Sequence, residues 1–208
     1  VYAAGGFNSV GGETRHGIAA IDDSGAVTSW NPAGWGTTIG ELATDGTTLY
    51  AQGLVYPAGG EPRYGLAAFD ADGRLLAWAP RPLDVSSRWN MGGNGALAAS
   101  GGVVYVGGDF VGMFGQDRNG LAAIDVRGNL LPWNPGPGPV GGVAILGSRL
   151  VALGFTVSAF DQAPGALAWE VPYDTTAWSI ASDGSVVYRG GQFQTAGGPP
   201  RAGLAALD

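Results

Sequence analysis

The chain has no cysteine and no lysine, and only one histidine and two methionines in 208 residues. Without cysteine there is no disulfide and no thiolate metal site, and the redox compartment stays undetermined. With ten arginines against 17 acidic residues, the formal net charge is −7. An acidic chain without a basic run is a poor partner for nucleic acid, whose phosphates need clustered cations, and for anionic membranes. The lone histidine, His16, reads as a solvent-facing loop residue, and no Ser-His-Asp arrangement can be built around it. There is no Gly-x-Ser-x-Gly elbow and no phosphate-loop lysine. No apolar run reaches the ~18 residues of a membrane span. No window shows a helical period with caps. Val1 and Asp208 both fall inside repeat units, so the expectation is an excerpt of a longer chain, with targeting signals outside it.

What the chain does have is glycine and proline, together a quarter of all residues, and 45% hydrophobic residues. Such a composition without a period would point to disorder. Here the period is strict. Tyr2, Tyr50, Tyr105 and Tyr188 each precede an aspartate by 20 residues: Asp22, Asp70, Asp125 and Asp208. Glycine follows each tyrosine at +3 (Gly5, Gly53, Gly108, Gly191) and again at +15 (Gly17, Gly65, Gly120, Gly203). Arginine stands at +13 (Arg15, Arg63, Arg118, Arg201). Tryptophan comes eight residues after the aspartate at Trp30, Trp78 and Trp133, and Trp169 follows Asp161 in the same way. A repeat of about 50 residues is the mark of a propeller or array. The fold expected is all-β, a β-propeller of four-stranded antiparallel blades with about four and a half repeats. It would be an arc of a larger ring or a five-bladed ring, with the arc favoured. The repeats run approximately over 1–33, 39–80, 95–135, 141–172 and 177–208.

Within a repeat, short apolar runs bounded by Gly, Asp and Pro read as strands. The third runs, GIAAID, GLAAFD, GLAAID and GLAALD, are apolar on both faces and so require cover on both, as between neighbouring blades. Repeat four lacks ten residues between Val151 and Asp161, the place of the long loop with its arginine. The aspartates read as turn residues accepting backbone N–H bonds. A calcium site would need several converging oxygens, which one aspartate per blade does not supply. If each Asp-x-x-Gly turn centres between its aspartate and glycine, Trp30 lies opposite Gly17, Trp78 opposite Gly65 and Trp133 opposite Gly120. The arginine two residues earlier then stacks diagonally on the indole, a contact of roughly 0.5–2 kcal/mol.

One stretch, Arg81–Met91, departs from the repeat and carries Arg81, Asp84, Arg88, Trp89 and Met91. Strand alternation places it at the same end as the long loops around Arg15, Arg63 and Arg118. It reads as a linker whose Trp89 packs down on the ring, or as part of a ligand-facing rim. The candidate ligand-binding residues are therefore Arg81, Arg88, Trp89, Arg63 and Arg118, with no catalytic, cofactor or metal residue proposed.

The strings VYVGGDF, RNGLAAID and LLPWNPGPGPVGGVAI in repeat three, and VYRGGQF with RAGLAALD in repeat five, resemble kelch-type blades. They resemble more closely the bacterial propellers built of delta-sixty-type repeats. The resemblance covers nearly the whole chain, with repeat four its weak member. It implies a β-propeller, commonly part of a large secreted or surface-attached bacterial protein, with no defined activity. Kelch-like copper oxidases use Tyr, His and a thioether-linked Cys, which one histidine and no cysteine cannot supply. The leading expectation is a non-catalytic extracellular scaffold or binding propeller, meeting a protein or polysaccharide with its loop-rich face and using no cofactor. An enzyme, a lyase or glycan hydrolase with a site at the central mouth, would need converging carboxylates, and the candidates are Glu41, Asp84 and Asp174. A purely structural repeat is the third reading.

Overall fold

The computed structural model describes residues 1–57, 61–78, 80, 95–172, 176–195, 200 and 202–207. Among them every regular element is a strand. Blade one comprises β1 (Tyr2–Ala4), the small hairpin β2 (Ser9–Val10) and β3 (Glu13–Thr14), and β4 (Ile18–Ala20), with β1 antiparallel to β4. Blade two is β5 (Thr38–Thr44), β6 (Leu49–Val55) and β7 (Arg63–Phe69) in the order β5-β6-β7. Blade three is β8 (Ala96–Ser100), β9 (Val103–Gly107), the hairpin β10 (Gly112–Met113) and β11 (Gln116–Asp117), and β12 (Leu121–Asp125), with sheet order β8-β9-β12. Blade four is β13 (Gly142–Leu146), β14 (Arg149–Leu153), β15 (Thr156–Asp161) and β16 (Leu167–Pro172), a complete four-stranded meander. Blade five is β17 (Thr176–Ser182), β18 (Val187–Gln192) and β19 (Leu204–Leu207).

These meanders are the blades of a β-propeller, and their faces make the core. Along the third strands, alternate residues point to opposite neighbours. Leu66 and Ala68 pack with Val104, Val106, Ala122 and Ile124 of blade three. Ala67 and Phe69 pack the other way, with Ile18 and Trp30 of blade one. Leu121 and Ala123 meet Leu150, Ala152 and Phe160 of blade four, and Val157 and Ala159 meet Val187 of blade five. The two-faced apolar strands of blades two to four are thus covered on both sides, whereas in β19 of blade five Leu204 is exposed. The central alanines keep neighbouring sheets close.

The fourth strand is shorter than expected in three blades. It is a single bridge in each: Ile21 with Val27, Phe69 with Leu75, and Ile124 with Leu130. These pairs also correct the expected register. Asp22 N–H bonds the Ala26 carbonyl while Gly25 N–H bonds the Asp22 carbonyl, and Gly25 has φ +83°. The glycine is therefore the left-handed residue of a bulge and adds one residue to the turn. Asp70–Arg74 and Asp125–Asn129 repeat this pattern. The shift of one residue removes Trp30, Trp78 and Trp133 from the positions opposite Gly17, Gly65 and Gly120.

The tryptophans instead reach into the next blade. Trp78 Nε1 donates to the Asp125 carbonyl at 2.9 Å, and Trp133 Nε1 donates to the Asp161 carbonyl at 3.0 Å. Trp30 approaches the corresponding turn of blade two, where a Cβ on Gly73 would lie 2.9 Å from its Nε1. Each indole also meets the tyrosine of its own blade edge-on: Tyr2 at 5.2 Å, Tyr50 at 5.1 Å and Tyr105 at 5.2 Å between centroids. On its far side Trp30 touches Phe69 and Trp133 touches Phe160, both on third strands of the following blade. The repeated tryptophan is a blade-to-blade latch.

The repeated glycine has a different partner. Gly120 has φ +79°, and a Cβ there would fall on the Gly138 carbonyl of the linker into blade four. Gly17, at φ +72°, stands in the same relation to the Thr37 carbonyl at 2.6 Å. The position needs glycine for its backbone angle and for a linker that passes against it.

Candidate functional site

The connections divide into two ends. One end holds the tight turns between first and second and between third and fourth strands, rich in Asp, Gly, Ser and Thr. The other holds the arms between second and third strands and the blade-to-blade linkers. The tight-turn end is consumed in self-contacts. Asp22 Oδ1 accepts from the N–H groups of Ser24 and Ala26, Asp70 Oδ1 from Asp72 and Arg74, and Asp125 Oδ1 from Arg127 and Asn129. This is the turn-setting role read from the sequence.

Hydrogen bonding to the charged form holds the carboxyls of Asp22, Asp125 and Asp183 low. The Ser24 hydroxyl and the Ala26 N–H lower Asp22, and the Asn129 side chain and N–H lower Asp125. The N–H groups of Ser185 and Val186 lower Asp183 to about 2, from an ordinary value of 3.8. A depressed folded-state pKa adds stability that is complete above the unfolded value and is lost as pH falls through the folded one. Thermal melts followed against pH therefore show a plateau above about 4 and a decline between 3.8 and about 2. The Asp183→Ala variant lacks part of that decline.

At the loop-bearing end the arginines turn inward. Arg118 is 5% exposed; its Nη1 donates to the Asp117 carbonyl and its Nη2 to the Leu131 carbonyl, both at 2.7 Å. Arg15 does the same with the carbonyls of Thr14 and Thr28. Each guanidinium ties the arm to the strand carrying the tryptophan, and leaving those carbonyls unpaired would be costly. The guanidinium-over-ring contact among the described residues is Arg189 over Phe193 at 4.2 Å, in place of the expected Arg-on-Trp stack. Arg63 is half-buried at the start of β7, paired with Val55, and its Nε is buried without a hydrogen-bond partner. Arg81, Arg88 and Trp89, and the carboxylates Asp84 and Asp174, lie outside the described residues. Glu41 pairs across the strands with Gln52, and burial pushes its carboxyl up. His16 Nδ1 lies 3.2 Å from Asn8 Oδ1.

The same end displays aromatic rings that sequence reasoning did not single out. Trp35 is 79% exposed, Phe155 74% and Trp178 67%, and Tyr64, near the start of β7, is 51% exposed. Trp35 stands on the linker from blade one to blade two, and that linker is braced. Thr37, itself buried, donates its hydroxyl to the Gly34 carbonyl at 2.9 Å and accepts from Tyr56 N–H at 3.0 Å. Ala33 bridges Pro57 on the other side. Phe155 occupies the short turn where blade four has lost its arm, against Gly138 of the preceding linker. Trp178 sits at the β-bulge of β17, at the place held by Gly40 in β5 and by Gly95 and Gly141 just before β8 and β13. That substitution was the available signal for Trp178.

Rigidly mounted rings in water can stack on sugar faces or fill apolar pockets of a protein at little cost in conformational entropy. Groups of three or more His, Asp or Glu side chains able to hold a metal are absent among the described residues.

No family model matches the chain, and no curated protein matches it. Among solved structures, the chain is similar to one from the crystal structure of a nidogen/laminin complex. The two share 12% identity, the alignment covers 92% of this chain and 84% of the other, and the TM-score is 0.46.

Proposed function

We propose that this chain is a non-catalytic binding propeller that meets a protein or carbohydrate partner with its loop-bearing end. The observation that carries the reading is the exposure of Trp35, Phe155 and Trp178 at that end, with Trp35 fixed on a linker braced by Thr37. Large rings on a rigid base are the residues that dominate binding energy at interfaces. Arg118 contributes by holding the arm in place, not by offering its donors. The resemblance to delta-sixty-type propellers, and an extracellular or cell-surface setting for a bacterial host protein, belong to the same reading.

The test uses single and double alanine variants of Trp35 and Trp178. Because these rings are exposed, each variant keeps its unfolding free energy within about 0.5 kcal/mol. Binding is screened on arrays of neutral and acidic polysaccharides and against immobilised extracellular proteins. The double variant loses tenfold or more in affinity for whatever the parent chain retains, about 1.4 kcal/mol. Retained binding in the double variant rejects the loop-bearing end as the contact surface.

A further inference from the structure

We infer that the loop-bearing end takes an uncharged polysaccharide, whose sugar rings stack on Phe155 and Trp178 over the junction of blades four and five. The inference rests on the loop-end reading and narrows it to one partner class and one place.

Blade four lacks the arm that its neighbour carries. In blade three that arm holds Phe110 and Met113, both buried. In blade four β14 and β15 close directly through Gly154 and Phe155, and Gly154 N–H donates to the Thr156 carbonyl at 2.9 Å. Phe155 is therefore left in water, although blades three and five flank it. Its ring rests on the preceding linker: a Cβ on Gly138 would lie 3.7 Å from two of its ring carbons. Gly154 packs on the Pro139 carbonyl, 2.7 Å from where its own Cβ would stand, and Pro139 is exposed.

Trp178 reaches the same place from blade five. The inner strands β13 and β17 lie side by side and run parallel. Leu146 bridges Gly184, and a Cβ on Gly142 would lie 2.8 Å from Ile180 Cγ2. Both pairs share one offset in residue number, and that offset sets Trp178 level with residues 139–141. Its exposure belongs to the position. Gly40 and Gly141 hold this place in blades two and four, and both are exposed although each blade has a neighbour on either side. A Cβ on Gly141 would meet nothing within 4 Å.

The surroundings select the partner. Among the described residues, 134–142, 153–158, 178–180 and 190–195 include no charged side chain. Arg189, next to them, is buried over the Phe193 ring and donates to the Thr195 carbonyl. The flanks are acidic: Asp117 is exposed on the blade-three arm, where its carbonyl accepts from Asn134 Nδ2, and Glu170 is exposed on β16 opposite Ser158. A polyanion would be repelled by these carboxylates. A neutral sugar chain needs ring faces and uncharged hydrogen-bonding groups. The rings stand on short, braced backbone, so little freedom is lost when a sugar stacks on them. The exposed amides of Asn134 and Gln192 supply donors and acceptors.

The test is isothermal titration calorimetry with neutral hexasaccharides of glucose, mannose, xylose and galactose, and with oligogalacturonate as the acidic probe. The parent chain binds at least one neutral hexasaccharide and does not bind oligogalacturonate. Phe155→Ala and Trp178→Ala each weaken that binding about tenfold or more, and Trp35→Ala changes it less than about twofold. All three variants keep the parent Tm, as exposed positions should. Absence of neutral-sugar binding by the parent overturns the inference, and so does binding of the acidic probe in its place. Loss on Trp35→Ala alone also overturns it but leaves the loop-end reading standing. Binding retained by the triple variant overturns both.

Discussion

Replacing Trp133 by alanine lowers the free energy of unfolding by about 3–5 kcal/mol, the range for removing a large buried aromatic. The ring lies between Tyr105 of its own blade and Phe160 of the next, and its Nε1 donates to the Asp161 carbonyl across the blade boundary. The loss therefore has two parts, and Trp133→Phe separates them. Phenylalanine keeps an aromatic body against Tyr105 but leaves the Asp161 carbonyl without its donor, at a cost of about 1–2 kcal/mol. Urea denaturation followed by circular dichroism measures both. If Trp133→Ala costs less than 1 kcal/mol, the latch is not what holds blades three and four together.

Gly120→Ala is the second large effect, expected at about 3 kcal/mol or more from backbone strain and overpacking combined. The residue has φ +79°, and its added methyl would fall on the Gly138 carbonyl, a backbone atom that cannot rotate away. Gly115 provides the internal control. Its φ is +72°, nearly the same, yet no atom lies within 4 Å of the Cβ position. Gly115→Ala should therefore show only the left-handed penalty, about 1–2 kcal/mol. The difference between the two variants measures how closely the linker passes. Equal losses would show that conformation alone demands glycine at this repeat position.

Those two residues also show where the sequence is legible and where it is not. The fixed spacing of tyrosine, glycine, arginine, aspartate and tryptophan led to blades, and the two-faced GLAAID strands led to cover on both sides. Both are consequences of period and polarity, which are local properties. The partner of the tryptophan is not local. The glycine in Asp-x-x-Gly was read as closing a symmetric turn, but at φ +83° Gly25 inserts a bulge, and one added residue moves every later side chain to the other face. Spacing counts could not distinguish the two turns. The exposed rings were hidden for another reason. Trp35 and Trp133 are each followed or flanked by Asn, Pro and Gly in similar linker text, and only the tertiary path decides which is covered. Trp178 was readable in principle, since it replaces a glycine found at the same place in three other blades.

The hydrogen bonds from Trp78 to Asp125 and from Trp133 to Asp161 run the same way along the chain. Blades two and three each offer an indole forward, and blades three and four a turn carbonyl backward, so in blade three donor and acceptor belong to one unit. Tandem gene duplication can then lengthen such an array without any new complementary surface having to evolve, since a copied unit arrives already fitted to both neighbours. Inserting a unit with its strand order reversed breaks two such joints at once, which makes the array extensible in one orientation only.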